Sequence, residues 1–594
     1  MLKVREYFLY TGIYFGIIIV VSTEFLSFFN YLNDFSIKLL WLIIFFISLI
    51  FLSKRKFFNI SFATFLDYKI LFILVIFLLT FTTALIYPPN TLDAISYHLP
   101  KVMNWIQNGN LSFYPTNDLR QLILAPFSEF ALLHLYLLIN ADNFLNLVQW
   151  YSMVVSCVAV TLISKELGCN IKFQIFSALF IATLPMGILQ SNSTQTDYVT
   201  SMWLLSMIYF LLKYIKSNHL RFLLYFSLAL GFGIFTKGTF YIYALPFCCW
   251  LGFHILLKNQ KHFIYALLIP IVILIINSGH FSRNINLFGN PLGFNVEENI
   301  WFNKKINSSA LIGNFIKNFG LNLALPNESL NKITSEKISQ LLQLFNISTF
   351  DPNYTKIYRH GYYIPFSFYE STAPNTIHFL IIFLSFFIFI LKKFSIDQKN
   401  YLYSVLATFI LFSLLLVWDS RNNRYFLCFF VISAPITSYI LNRFELAKLA
   451  NVLAIFLIIY SLPYLFFNKS RPLLGDISYK NNKIYFNKPY YFNEDRFSLY
   501  FIADRLYNNR DYRINILSFA NNIKSSNCFI IGLQNIGGLE YPLWAALKTN
   551  DSLRDKKFEI YNVKVDNISS SLKKKIYGHK KICKIINLNN RNNK

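Results

Sequence analysis

The chain has 594 residues, of which 55% are hydrophobic and 14% charged; a soluble domain carries about a quarter charged residues, so a large soluble globule is excluded. The formal net charge of +26 sits mostly in short loops between apolar runs and in the C-terminal tail. That pattern fits membrane topology and anionic headgroups better than nucleic-acid recognition, for which no motif accompanies the charge.

The N-terminus, MLKVREYFLYTGIYFGIIIVV, has the basic start and apolar run of a signal peptide, but no small-x-small cleavage site precedes Glu24. An uncleaved first helix is therefore expected. Apolar segments fall near 7–28, 37–52, 66–87, 121–140, 142–164, 172–190, 196–216, 221–236, 239–257, 262–280, 376–391, 400–418, 424–441 and 448–467. Such runs read as membrane-crossing helices, because only helices and closed barrels satisfy the backbone in lipid and no alternation marks a barrel.

Cations set the expected orientation. Lys3 and Arg5, the triplet Lys54, Arg55 and Lys56, and the basic residues of 213–221, 258–262, 392–399 and 443–448 mark cytoplasmic loops. The loops 88–120 and 281–375 and the tail after 467 then lie outside. Charge alternation requires the ends of 121–164 to lie on different sides although two apolar segments are drawn there. Segment 121–140, with Pro126, Glu129 and His134, is accordingly expected to be re-entrant or interfacial. The result is an all-α polytopic membrane protein with roughly thirteen crossings, N-terminus in and C-terminus out.

Residues 468–594 form a second, extramembrane domain, rich in Asn, Lys and Tyr. Segments 492–509 and 514–526 read as helices by their apolar spacing, and 528–533, 558–563 and 582–588 as strands, which together predict a small α/β domain. Among the seven cysteines there is no C-x-x-C spacing and hence no zinc signature. Cys528 and Cys583 share the tail and read either as a disulfide or as two free thiols.

Candidate chemistry begins in the first outer loop, PPNTLDAISYHLPKVMNWIQNGNLSFYPTNDLRQ. Pro100 predicts a turn at 93–98 and a helix over 100–108 whose Val102, Trp105 and Ile106 share one face, as in an element lying flat on a membrane. Asp93, followed by His98 and Lys101, then sits at the water–membrane boundary; Asp93 reads equally as a helix N-cap, and His98 as a structural hydrogen-bonding residue. In WDSRNNRYFLCFF, Arg421 and Arg424 lie one helical turn apart at the outer end of a span, against the positive-inside rule. Phosphate binding is one reason for such a placement; pairing with Asp419 or snorkelling to headgroups is another. Arg283 and Lys237 occupy similar positions. Glu129, Asp197 and Glu370, the last near His378, are further acids on the outer side, and intramembrane or interfacial acids are functional candidates. No HExxH, GxSxG, DxD or P-loop spacing occurs.

Taken together, DAISYHLPKVMNWIQNG, ILQSNSTQTD before a span, the TKG turn, RNINLFGNP and R-x-x-RYFL resemble bacterial membrane glycosyltransferases of the GT-C class, relatives of the protein O-mannosyltransferases and the lipid A aminoarabinose transferases. NKSRPLL, CFIIGL and LEYPLWAAL in the tail are similar to the C-terminal domain of one branch of that class. The resemblance implies an enzyme of a bacterial plasma membrane that moves a sugar, with inversion, from a polyprenyl-phosphate donor to a lipid, glycan or protein acceptor. It maps the catalytic base onto Asp93. The mannosyltransferases place a Glu after this Asp, and here the neighbour is Ala94, which leaves the second acid open. A divalent metal is possible within the class. A lipid-linked sugar flippase and a polysaccharide polymerase or ligase are the competing readings; a flippase predicts inverted repeats, which the sequence lacks.

Overall fold

A computed structural model describes residues 2–53, 67–293, 301–356, 362–480, 483–502, 510–526, 528–534, 540–549, 558–578 and 580–587. Seven helices among these are long and apolar enough to cross a membrane: Lys3–Phe28, Tyr68–Ile86, Leu147–Glu166, Asp197–Ser217, Thr239–Lys258, Gln260–Phe288 and Ala447–Phe466. The pair Ile171–Ala182 and Pro185–Ser191, bent by 68°, raises this to eight if counted as one span. Shorter apolar helices such as Leu220–Ile234, Thr376–Ile390 and Leu427–Arg443 pack into the same bundle; the seven or eight spans found by length and composition stand against the roughly thirteen crossings expected from charge alternation. Lipid-facing positions account for the many exposed apolar side chains, for example Leu71, Leu78, Leu274 and Ile275.

The bundle has two chemically distinct ends. At one, Tyr209 donates to Glu6, Lys213 and Lys216 meet Glu166, and Asn170 accompanies Asn442, so the basic loops gather together. The basic triplet 54–56 lies outside the described residues. At the other end stand the loop 88–120, Asp93, Glu129 and Asp197, and the C-terminal domain.

Helix Phe127–Ile139 does not traverse the bundle. The Phe127 amide donates to the Phe235 carbonyl, while just beyond its far end Asp142 meets Arg496, Tyr500 and Tyr541 of the tail. Both ends therefore lie on the same side, which resolves the conflict over 121–164.

Two local expectations are corrected. Residues 94–98 do not form a simple turn but a π-helical turn, in which the Leu99 amide donates to the Ala94 carbonyl. It runs directly into helix Leu99–Asn108, with Pro100 in the first turn, where a missing N–H costs nothing. That helix also does not lie exposed on a membrane. Leu99 through Trp105 are all buried: Trp105 packs on Phe130 and Lys101 reaches Glu129 of helix Phe127–Ile139, and further along Gln107 exchanges two hydrogen bonds with the Ile560 backbone of the tail. Gly109 ends the helix at φ +68°, a conformation glycine adopts without strain, and its carbonyl accepts from the Leu32 amide.

In the tail, β3 (Ile530–Gln534) pairs in parallel with β4 (Glu559–Asn562) and β5 (Lys584–Asn587) in the order β4-β3-β5, and helix Arg510–Ser525 appears where expected. Cys528 and Cys583 form a disulfide. The expected helix 492–509 is replaced by two short 3-10 turns, Tyr490–Phe492 and Ser498–Phe501, with 503–509 outside the described residues. A hairpin of β1 (Asp476–Lys480) and β2 (Lys483–Asn487) was not anticipated. Neither were helices Ser308–Leu321 and Glu328–Leu344 inside the loop 281–375.

Glu540 is buried where this domain meets the first loop. Burial, with Asp118 adding to it, pushes its carboxyl from 4.5 up to about 7. A carboxyl raised in this way favours the folded state at low pH and withdraws about 3 kcal/mol as pH climbs from 4.5 to about 7, after which the loss levels off. Glu540→Gln should therefore raise the thermal midpoint at about pH 8 and leave it little changed at about pH 5. Equal effects at both pH values would show that Glu540 does not titrate there.

Candidate active site

Asp93, Asp197, Lys237 and Arg424 converge, although as much as 331 residues separate them. Arg424 donates from Nη1 to Asp93 Oδ2 (2.7 Å) and from Nε to Asp197 Oδ2 (2.9 Å). Lys237 Nζ donates to Asp197 Oδ1 (2.6 Å). Two carboxylates thus balance two cations. The chain of charges alternates, and Asp93 is its open end: its side chain is 20% exposed, against 4% for Asp197.

Each member is placed by a different element. Asp93 stands at the start of the π-helical turn with helical backbone and no side-chain capping bond; Thr91 Oγ1 caps the Ala94 amide instead. Asp197 opens helix Asp197–Ser217, and Lys237 lies in the turn between Leu220–Ile234 and Thr239–Lys258. Arg424 belongs to the one-turn helix Asn422–Tyr425. The extended stretch before it is held by the loop 281–375, where Leu416 bridges Phe302 and Trp418 bridges Thr355.

Burial alone would raise the Asp93 carboxyl, but Arg424, with His98 and Arg120 beyond it, holds it well below the usual carboxylate range. Burial likewise opposes the Arg424 charge, and Asp197 and Asp93 more than restore it. Aromatic rings close the sides: Arg424 and Lys237 lie over Tyr425 at 5.4 and 4.9 Å, and Arg120 over Tyr97 at 4.6 Å.

A second buried group adjoins on the same turn. Glu129 Oε1 accepts from Lys101 Nζ (3.2 Å) and pairs with His98 Nδ1 (3.0 Å). Glu129 Oε2 and His98 Nε2 are buried with no hydrogen-bond partner among the described residues.

The remaining candidates stand elsewhere. Arg421 forks onto Asp419 and Arg283 onto Glu24, so neither joins Arg424. Glu370 is not linked to His378, whose Nε2 meets Thr183. It accepts from Ser470 Oγ (2.5 Å) and lies 3.7 Å from Arg471. Arg471 is the residue sequence reasoning missed. Fully buried, it donates to Asn90 (2.7 Å), Asn192 (2.8 Å) and the Leu189 carbonyl (3.1 Å). It thereby ties together the segments leading to Asp93 and to Asp197. A cation just beyond a span on the side expected to be external, the signal that exposed Arg424, applied to it as well, since Arg471 follows the span Ala447–Phe466.

Among the described residues no three His, Cys, Asp or Glu side chains gather as metal donors. The two central acids are bonded by cations, and this donor set does not fit a divalent metal.

Residues 125–279 match the dolichyl-phosphate-mannose-protein mannosyltransferase family. The matched stretch holds Glu129, Asp197 and Lys237 and ends before Arg283, while Asp93 and Arg424 lie on either side of it. With the helical, membrane-like fold, this mannosyltransferase match supports a multi-pass membrane glycosyltransferase of the GT-C type, as the sequence motifs had implied. No curated protein matches the chain.

Proposed function

We propose that the chain transfers a sugar, with inversion, from a polyprenyl-phosphate donor to an acceptor hydroxyl on a lipid, glycan or protein. Asp93 serves as general base and Arg424 holds the donor phosphate. The observation that carries this reading is Arg424 shared between two carboxylates, one of them open to solvent. A guanidinium there can turn its fork toward a lipid phosphate while Asp197 keeps its other edge in place.

In the resting state Asp93 is a weak base, because Arg424 stabilises its charge. A phosphate that draws Arg424 away removes that stabilisation and raises the basicity of Asp93 as the reactants assemble. The acceptor proton then passes to Asp93 while the acceptor oxygen bonds the anomeric carbon. The bond from that carbon to the phosphate oxygen breaks, and its electron pair leaves with the polyprenyl phosphate, whose added charge Arg424 offsets. Lys237 keeps Asp197 neutralised throughout. Arg421 and Arg283, each offset by its own carboxylate, take no part in this step. Purified protein given a polyprenyl-phosphate sugar should release polyprenyl phosphate and form a product of inverted anomeric configuration. Retention, or use of a nucleotide sugar in its place, would overturn the reading.

The reaction is placed on the external side of a bacterial plasma membrane, with the N-terminus cytoplasmic. Support comes from the basic loops collected at the opposite end and from the Cys528–Cys583 disulfide, a bond that persists in oxidising compartments. Ser308, exposed at the start of its helix, provides a check. Ser308→Cys should react with a membrane-impermeant thiol reagent in intact cells above the parent background; labelling only after lysis would reverse the orientation.

A further inference from the structure

Helix Glu328–Leu344 presents three faces. Asn331, Ser335, Ile338 and Leu342 are buried, Ile338 and Leu342 in a small core with Leu321, Ala324 and Ile364. Lys332, Glu336, Gln340 and Gln343 form an exposed polar face. Between the two, Leu330, Ile333, Leu341 and Leu344 are exposed, Leu344 to 80%. At 100° per residue these four fall in a stripe about 80° wide, with Lys337 in its middle. An apolar stripe of this kind marks a surface that meets lipid or a partner.

The neighbouring helix decides between them. Ser308–Leu321 packs Phe319 against Phe379 and Phe383, at 4.9 and 5.6 Å, and Phe315 against Phe409 at 5.1 Å. Phe383 lies seven residues into the apolar helix Thr376–Ile390, about 10 Å along its axis. Leu380, Phe383, Leu384 and Phe387 of that helix face outward. The loop is therefore sunk beside lipid-facing surface, and Thr376 Oγ1 fastens the Ala324 carbonyl at the membrane helix's start (2.6 Å). The exposed stripe of Glu328–Leu344 begins six residues later in the chain, with Leu325 exposed between. Lys337 fits the same setting, since its stem can lie along apolar surface while its ammonium reaches headgroup phosphates.

We infer that Glu328–Leu344 lies in the headgroup layer with this stripe toward the acyl chains, at the end of the bundle that carries Asp93 and Arg424. The partner is the lipid surface itself, and the inference does not depend on the proposed reaction. It bears on the site nonetheless: Asn422, two residues before Arg424, donates to Asn318 of the sunken helix (3.1 Å). Membrane contact thus helps set where Arg424 stands.

The test uses full-length protein in lipid nanodiscs with an environment-sensitive fluorophore on Leu344→Cys or Gln343→Cys, the unsubstituted protein correcting for native cysteines. Lipids bearing a nitroxide near the headgroup end of the acyl chain should quench the Leu344 probe strongly and the Gln343 probe weakly. Both positions are exposed, so neither substitution threatens the fold. An unquenched probe at 344 would mean water or a protein partner covers the stripe, and equal quenching at both would remove the stripe's orientation. Either result overturns the inference.

Discussion

Arg424→Lys should lower transfer from the lipid-linked donor by about a hundredfold or more, the scale of losing one positioned donor to a developing oxyanion. Arg424 uses two different nitrogens, Nη1 toward Asp93 and Nε toward Asp197, and a single ammonium cannot span both acids and also fork onto a phosphate. Lysine keeps the charge, so the two buried carboxylates are not left uncompensated. Arg424→Ala would leave Asp93 without its cation and Asp197 with Lys237 alone, at a cost of about 3–5 kcal/mol, and would confuse instability with loss of function. Initial rates across a donor concentration series in purified protein separate the outcomes. The requirement for donor should rise, while the thermal midpoint of the lysine variant stays near the parent's. Arg421→Ala is the comparison: its partner Asp419 is on the same turn and its side chain is 48% exposed, so a change of at most a few fold is expected. Parental donor dependence in Arg424→Lys would reduce Arg424 to a structural bridge between two acids.

Asp93→Asn should cut the maximal rate by about a hundredfold or more while lowering the donor concentration needed for half-saturation. The two effects have separate causes. Asn cannot take the acceptor proton, which removes the base. It also carries no charge, so Arg424 is left with Asp197 alone and is more available to an incoming phosphate. An amide oxygen can still accept from Arg424, so the loop stays in place. The capping explanation for Asp93 loses its ground, because Asp93 makes no capping bond and Thr91 performs that role. A variant with the parental rate would end the assignment of Asp93 as base. A variant with reduced rate but a higher donor requirement would assign Asp93 to donor binding instead.

Much of the architecture was legible in the sequence for one reason: lipid forbids unsatisfied backbone, so apolar runs become helices whatever surrounds them. The three parallel strands were legible too, because short β-rich runs between helical segments have few alternatives. The first loop was read less well. Val102 and Trp105 mark a helix with an apolar side, and periodicity cannot tell burial in lipid from burial against protein; helix Phe127–Ile139 supplied the cover for Trp105 through Phe130, and the tail docked beside it through Gln107 and Ile560. The helices within 281–375 were missed although Leu330, Ile333, Ile338, Leu341 and Leu342 recur at helical spacing: the many Asn, Ser, Lys and Gln residues between them read as loop, and the small core that fixes Ile338 and Leu342 forms only when distant parts of the same loop meet.

For the site, the sequence by itself determined which residues were out of place: an acid directly after a span, and arginines at the end of the membrane where cations are disfavoured. Composition and topology suffice for that, since the cost of a misplaced charge is local. Only the tertiary structure decided which of these charges meet. Arg424 found Asp93 and Asp197, whereas Arg421 and Arg283 found Asp419 and Glu24, and Arg471 emerged as the buried tie between the segments carrying the two acids. The physical reason is range: a helix can place its own residues by a fixed rise and turn, but a contact across 331 positions of chain depends on how every intervening helix packs.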